Sequence, residues 1–239
     1  MPIQLSDGEF VKYKYNPDYL RNHAKYKGLI TNSYRACKKW GIPYKETSIV
    51  MDGGNVVLCG DCVVMTDKVF TENKKDPSDE EFRKQLSDVF GGRRIVFIPW
   101  TPPATDDPQS NEDVYGHADG FIKYAGGDRI LMSAHRMEHA DEASAIVKVL
   151  TDNGFKVTEM DFSSVGEGGL NFDLNWAYIN FLQVGRCIFM PSFCGAKEND
   201  IARRYIQQAF PACSIIPIEM EEVAAEGGAL HCLTWNIKE

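Results

Sequence analysis

Cys232 lies in the stretch EGGALHCLTWNIKE, Glu226 to Glu239, which sets two glycines and a histidine just ahead of a thiol. A cysteine so placed can serve as nucleophile, metal ligand or core filler. Upstream, YGHADGF sets His117 and Asp119 two apart, so on an extended segment both side chains share one face. A histidine beside a carboxylate that accepts from a ring nitrogen, or that binds a cation next to it, is an acid–base unit. The same pair is also common as a purely structural contact. MDGGNVVLCGDCVVMTDKVF reads as a turn, a strand, a two-residue Gly60-Asp61 hairpin and a returning strand. Its Asp52-Gly53-Gly54 turn would hold a carboxylate at the mouth of that hairpin.

Three further groups carry less. Cys59 and Cys62 form a lone C-x-x-C with no second ligand pair nearby, so they are expected to be strand residues flanking the hairpin rather than a zinc site. His135 and His139 in HRMEH would share a helix face but lack the glutamate of H-E-x-x-H, so a solvated face is expected. Glu167-Gly168-Gly169 reads as a turn. No metal site and no cofactor are expected.

The elements that must position these residues alternate between helix and strand. SYRACKKWG ends as a helix at Gly41 before the strand ETSIVM, DEASAIVKVLTDNG ends at Gly154 before FKVTEMDF, and IARRYIQQAFP precedes CSIIPIEM. RRIVFIPW is a further strand, AYINFLQ and RCIFMPSF read as a strand pair, and Ser78-x-x-Glu81 reads as a helix start. Thr101 to Asp113 is rich in Pro and Asp and is expected to be a loop covering a site. Acid-Gly-Gly triplets begin at 52, 167 and 226, separations of about two periods and one period of roughly 58 residues. A unit centred near 110 is then expected, and GHADG lies just beyond it. This predicts four repeated supersecondary units filling the chain. The period extrapolates back to about −6, before Met1.

The chain has 239 residues, 44% apolar and 25% charged, enough for a substantial core in one large domain or two small ones. A net charge of −8 argues against nucleic acid or an anionic membrane as partner and is compatible with a small cationic ligand. No apolar stretch approaches a membrane span. Met1 to Lys14 shows no secretion signal, so the seven cysteines are expected to be reduced thiols in a cytoplasmic setting.

EGGALHCLTWN resembles the Gly-Gly-x-x-His-Cys-x-Thr segment of agmatine deiminases and Porphyromonas-type peptidyl-arginine deiminases. MDGGNVV is similar to that family's acidic-Gly-Gly-Asn segment, GHADGF to its Gly-His-x-Asp segment, and WAYINFLQVGRCIFMPSF to its Tyr-x-Asn-Phe strand pair. Order and spacing agree along the whole chain. The resemblance implies a single α/β domain over 1–239, a pentein-type propeller of ββαβ-like units about a pseudo-fivefold axis. It also implies a metal-free cysteine hydrolase that converts agmatine to N-carbamoylputrescine (putrescine biosynthesis) or peptidyl or free arginine to citrulline, releasing ammonia. Carried over by position, Cys232 would attack the guanidinium carbon and His117 would protonate the leaving ammonia and then activate water. Asp52 and Asp119 would hold the guanidinium nitrogens, Asn180 would line the pocket, and His231 is assigned to packing. A planar guanidinium suits two carboxylates, and its charge favours a thiolate.

The family carries, further toward its N-terminus, a Trp-x-Arg-Asp-x-Gly-Pro segment whose aspartate also binds the guanidinium. Met1-Pro2-Ile3-Gln4-Leu5 is similar to the family sequence from that proline onward. The expectation is therefore four of five units, with one carboxylate absent from this chain and an open ring that favours homo-oligomerisation. The alternative to a deiminase is a non-catalytic guanidine-binding or assembly protein on the same fold. A cysteine phosphatase lacks support because no Arg-bearing phosphate loop follows Cys232, and a papain-like protease would order its Cys and His the other way.

Overall fold

The computed structural model describes residues 1–17, 20, 28, 32–102, 116–166 and 172–237. Within them four three-stranded sheets share one design. The first unit comprises β1 (Ile3–Ser6), β2 (Glu9–Lys14), helix α1 (Ser33–Trp40) and β3 (Lys45–Val50). The second has β4 (Val57–Cys59), β5 (Cys62–Thr66), α2 (Glu80–Val89) and β6 (Arg94–Ile98). The third has β7 (Ile122–Tyr124), β8 (Arg129–Met132), α3 (Ala140–Asp152) and β9 (Lys156–Glu159). The fourth has β10 (Leu182–Val184), β11 (Cys187–Ser192), α4 (Glu198–Ala209) and β12 (Ser214–Glu219). In every unit a short turn makes the first two strands antiparallel, and the helix carries the chain back so that the third strand pairs parallel with the second. The expected ββαβ repetition is therefore present four times.

Local signals mostly act as read. Gly41 takes a left-handed φ of 64° and ends α1, with its N–H on the Cys37 and Lys38 carbonyls. Gly154 does the same after α3 at φ 89°. Cys59 and Cys62 sit opposite one another across the Gly60-Asp61 hairpin, both buried.

Three expectations need correction. The helix after Ser78 is capped by Asp79, which accepts from Phe82 N at 2.9 Å, whereas Ser78 is occupied with Asp76. A carboxylate one residue later reaches the same free amides and adds a charge suited to the helix start. The segment AYIN is not a strand. Phe172–Ile179 winds as 3-10 turns: Ala177, Tyr178, Ile179, Asn180 and Phe181 are all buried in succession, and such a short buried run fits a strand or a helical turn alike. His135 and His139 do lie side by side, but on a short turn before α3 rather than on a regular helix: His139 N bonds the His135 carbonyl at 2.9 Å and the rings stand 4.8 Å apart. His135 bonds Glu142 at 2.5 Å instead of pointing to solvent. Glu167-Gly168-Gly169 and residues 103–113 of the Pro/Asp-rich stretch lie outside the described residues.

The core sits between units rather than within them. Val63 and Met65 on one face of β5 pack with Val11, Tyr13, Phe82 and Leu86, joining the first unit to the second. Cys62 and Val64 on its other face pack with Ile122, Ile130, Met132 and Ile146, joining the second to the third. Leu131 of β8 then meets Ile188, Met190 and Ile206, joining the third to the fourth. Strand alternation thus gives each inner sheet two buried faces. Among the described residues no helix is long and apolar enough to cross a membrane.

Asn55 ties β5 to the turn that opens the third unit. It is 1% exposed, its Oδ1 accepts from Thr66 N at 2.8 Å, Thr66 Oγ1 at 2.9 Å and Ala118 N at 3.3 Å. Asn55→Ala is expected to cost about 2–4 kcal/mol, because it strands several buried donors. Urea denaturation measures this, and a loss within experimental error would refute the role.

Candidate functional site

All the chemistry-bearing residues come from one kind of segment, the connection from the third strand of a unit to the next unit. Asp52 lies between β3 and β4, His117 and Asp119 between β6 and β7, Asn180 between β9 and β10, and His231 and Cys232 beyond β12. Because the units repeat, equivalent connections emerge at equivalent ends of adjacent sheets, and residues far apart in sequence meet.

The structure brings the sequence-nominated residues together, in pairings the sequence did not indicate. His117 Nε2 lies 2.7 Å from Asp52 Oδ2, and His231 Nδ1 lies 2.7 Å from Asp119 Oδ2. Each histidine is therefore partnered by an aspartate of another connection. His117 and Asp119 are not on an extended segment. His117 immediately precedes the short helix Ala118–Phe121, and Gly120 N bonds the His117 carbonyl at 3.0 Å, so the two residues lie on a turn. They close instead over Gly54, where a Cβ would stand 2.9 Å from both Asp119 Oδ1 and His117 Nδ1. Glycine at 54 is thus a matter of space. Asp52 is extended, at φ −106° and ψ 142°, and presents its carboxylate before the chain turns through Gly53–Asn55.

Asn180 is fully buried and organises the cysteine. Its side-chain oxygen lies 3.3 Å from Cys232 N and 3.3 Å from Cys232 Sγ, its amide nitrogen donates to the Asp119 carbonyl at 3.4 Å, and its own carbonyl accepts from His231 N at 3.0 Å. Beyond Cys232 the segment is tied back to the first unit. Trp235 donates to the Pro2 carbonyl at 2.8 Å, stacks on Trp40 at 5.8 Å and meets Phe10 edge-on at 6.2 Å.

Three residues were not nominated from the sequence for this site. His231, assigned there to packing, is bonded to a buried carboxylate. Only its position next to Cys232 could have signalled this. Tyr13 of β2 brings its hydroxyl to Gly53, where a Cβ would meet it at 2.7 Å. Burial, followed by the charge of Asp52, pushes that phenol far above its ordinary value. Lys123 of β7 carries an ammonium that burial pushes down to about 8, against the opposing pull of Asp119 and Cys232.

Burial works against ionisation of Asp119, but the His231 bond and the charges of His117 and Lys123 outweigh it and hold the carboxyl below the usual range. Cys232 retains an exposed edge, yet burial of its thiol, reinforced by Asp119, pushes it up to about 11, with Ala229, Asn180 and Lys123 opposing. Asp52 is 2% exposed, and its Oδ1 has no hydrogen-bond donor among the described residues. Among those residues, no group of three or more His, Cys, Asp or Glu side chains is arranged to hold a metal ion. The arrangement pairs a thiol with two carboxylate–imidazole units and an unfilled acceptor.

The family model for Porphyromonas-type peptidyl-arginine deiminase matches residues 1–237. The agmatine deiminase of Pseudomonas fluorescens is 24% identical over 220 residues, covering 80% of this chain and 58% of that protein. Among solved structures, agmatine deiminase of Enterococcus faecalis aligns with a TM-score of 0.69 at 17% identity over 95% of this chain and 69% of its own. That of C. jejuni aligns with a TM-score of 0.68 at 16% identity, over 94% and 65%. The chain spans about three-fifths of the length of the curated relative. At these identities the structural likeness establishes a shared α/β fold.

A thiol raised to about 11 is protonated at neutral pH, so its thiolate fraction falls about tenfold for each pH unit below that value. Alkylation of the Cys232 peptide by iodoacetamide, followed by mass spectrometry, is accordingly expected to accelerate throughout pH 7 to 10. A plateau near pH 8 would contradict the electrostatics described.

Proposed function

We propose, since the chain belongs to the Porphyromonas-type peptidyl-arginine deiminase family, that it is a hydrolytic deiminase of guanidino compounds. Its substrate class is agmatine or an arginyl group, and its nucleophile is Cys232. The observation that carries this reading is Asp52 Oδ1, a buried carboxylate oxygen without a donor among the described residues, while its twin is held by His117. Such an oxygen calls for a donor, and the planar, charged N–H array of a guanidinium satisfies it through a charge-assisted bond. Asp119 supplies a second buried carboxylate, which shares the desolvation cost of a bound cation.

In this reading the bound cation lowers the pKa of the Cys232 thiol and favours the thiolate. Sulfur attacks the guanidinium carbon, a C–S bond forms, and the C=N pair moves onto nitrogen. His117 gives a proton to the departing nitrogen, the C–N bond breaks, and ammonia leaves an S-amidino-cysteine. His117 then takes a proton from water as its oxygen attacks the same carbon. The C–S bond breaks, returning the thiolate and a ureido product. Substrate and water become ureido compound and ammonia, with no redox change and no cofactor required. Asn180, bonded to both Cys232 N and Sγ, orients the sulfur.

A five-unit ring around the site is part of the same proposal. Its support is the outer sheet of the fourth unit, where Leu182, Phe189 and Ile216 line up in register and Ile216 is 39% exposed. The equivalent face of each earlier unit packs on its successor.

Purified protein supplied with agmatine, or with an arginyl peptide, is expected to release ammonia and a ureido product. Cys232→Ala is expected to bring both to background. Asp52→Asn should lower kcat/KM roughly 10- to 100-fold, the worth of a charge-assisted hydrogen bond. Equal ammonia release by Cys232→Ala would reject the mechanism. Calorimetric binding of agmatine with no turnover would point instead to a guanidine-binding protein.

A further inference from the structure

Lys123 takes no part in the steps above, and it occupies a strand position where an apolar side chain is usual. On β7, Ile122 and Tyr124 pack into the core between the second and third units, so Lys123 between them points the other way, toward the fourth. Its ammonium donates to the Phe181 carbonyl at 2.9 Å and lies 4.8 Å from the centroid of the Phe181 ring. Phe181 directly follows Asn180, whose side chain holds the backbone and sulfur of Cys232. A buried ammonium survives only beside anions, and the two groups that favour its charge are Asp119 and Cys232.

We propose that Lys123 is a positioning residue for the nucleophile: its ammonium fixes the Phe181 carbonyl, and so Asn180 and Cys232, while its charge favours the Cys232 thiolate. This rests on Cys232 being the nucleophile, but its test needs no turnover. The titratable groups facing this pair come from several elements. Asp119, with His117 beside it, comes from the turn before β7, and His231 from the segment of Cys232 itself. Asp52 stands behind His117, and Tyr13 of β2 faces both Asp52 and Asp119. Among these, Asp119 works against the thiolate and Lys123 works for it. Because burial pushes the ammonium down to about 8, Lys123 is charged at neutral pH and below.

The test uses the full chain with Lys123→Met, Lys123→Gln and Lys123→Arg, each checked for folding by circular dichroism. Lys123→Met removes bond and charge, Lys123→Gln keeps a donor for Phe181 without charge, and Lys123→Arg keeps both. The readout is alkylation of the Cys232 peptide by iodoacetamide at about pH 6 to 7.5, without substrate. The Gln variant is expected to react several-fold more slowly through loss of charge, the Met variant roughly tenfold more slowly through loss of the Phe181 bond as well, and the Arg variant within about threefold of the native chain. A Met variant no slower than Gln would overturn the positioning role. A merely structural lysine would lower melting temperatures without separating Gln from Arg. Should Lys123→Met fail to fold, the Gln and Arg variants decide alone. Native alkylation rates in folded Lys123→Gln would overturn the proposal, as would an Arg variant as slow as Gln. Ammonia release is assayed separately, so an inactive native chain with charge-dependent Cys232 reactivity overturns the deiminase reading and leaves Lys123 its role.

Discussion

Burial between consecutive units is the constraint on which this structure depends. A three-stranded sheet with one crossover helix has too little apolar surface to stand alone, and here the core is shared between neighbours. β5 shows the consequence most directly, since all five of its residues are buried and successive side chains serve alternate neighbours. A unit cannot shift by one residue without sending Val63 and Met65 to the wrong partner. The register of the whole array is held by this demand.

The site is a by-product of that stacking. Three connections leave a third strand and enter the next hairpin, and the segment beyond β12 joins them where adjacent units meet. Polar ties at the same level reinforce the apolar ones. Asn55 joins the second unit to the turn before β7, Asn180 joins the Asp119 turn to the cysteine segment, and the two His–Asp pairs cross between connections. Trp235, set against Pro2, Trp40 and Phe10, anchors the last connection to the first unit, which leaves Cys232 little freedom. Glycine at 54 is required here because two site side chains occupy the space a Cβ would take.

Electrostatically, the site disfavours ionisation of its thiol. Burial of the Cys232 thiol, reinforced by Asp119, disfavours the thiolate, and Ala229, Asn180 and the Lys123 ammonium offset part of that cost.

The four-fold repetition, Gly41 and Gly154 as helix ends, the Cys59–Cys62 hairpin and the nomination of Asp52, His117, Asp119 and Cys232 were legible from the sequence, because each rests on short-range chemistry or periodicity, whereas Asn180 was nominated only through the resemblance to deiminases. Local signals failed where a short buried run reads alike as strand or helical turn, as in the 3-10 turns before β10, or where two residues competed for one cap, as with Ser78 and Asp79. Which aspartate serves which histidine was decided only in three dimensions, since His117 and Asp52, and His231 and Asp119, are partners from different connections. The same holds for Lys123 and Tyr13, whose relation to the site depends on which face of a short strand meets a neighbouring unit. Sequence alone determined which residue types the connections carry. Tertiary structure decided their pairing, because proximity across connections arises from stacking the units and not from spacing along the chain.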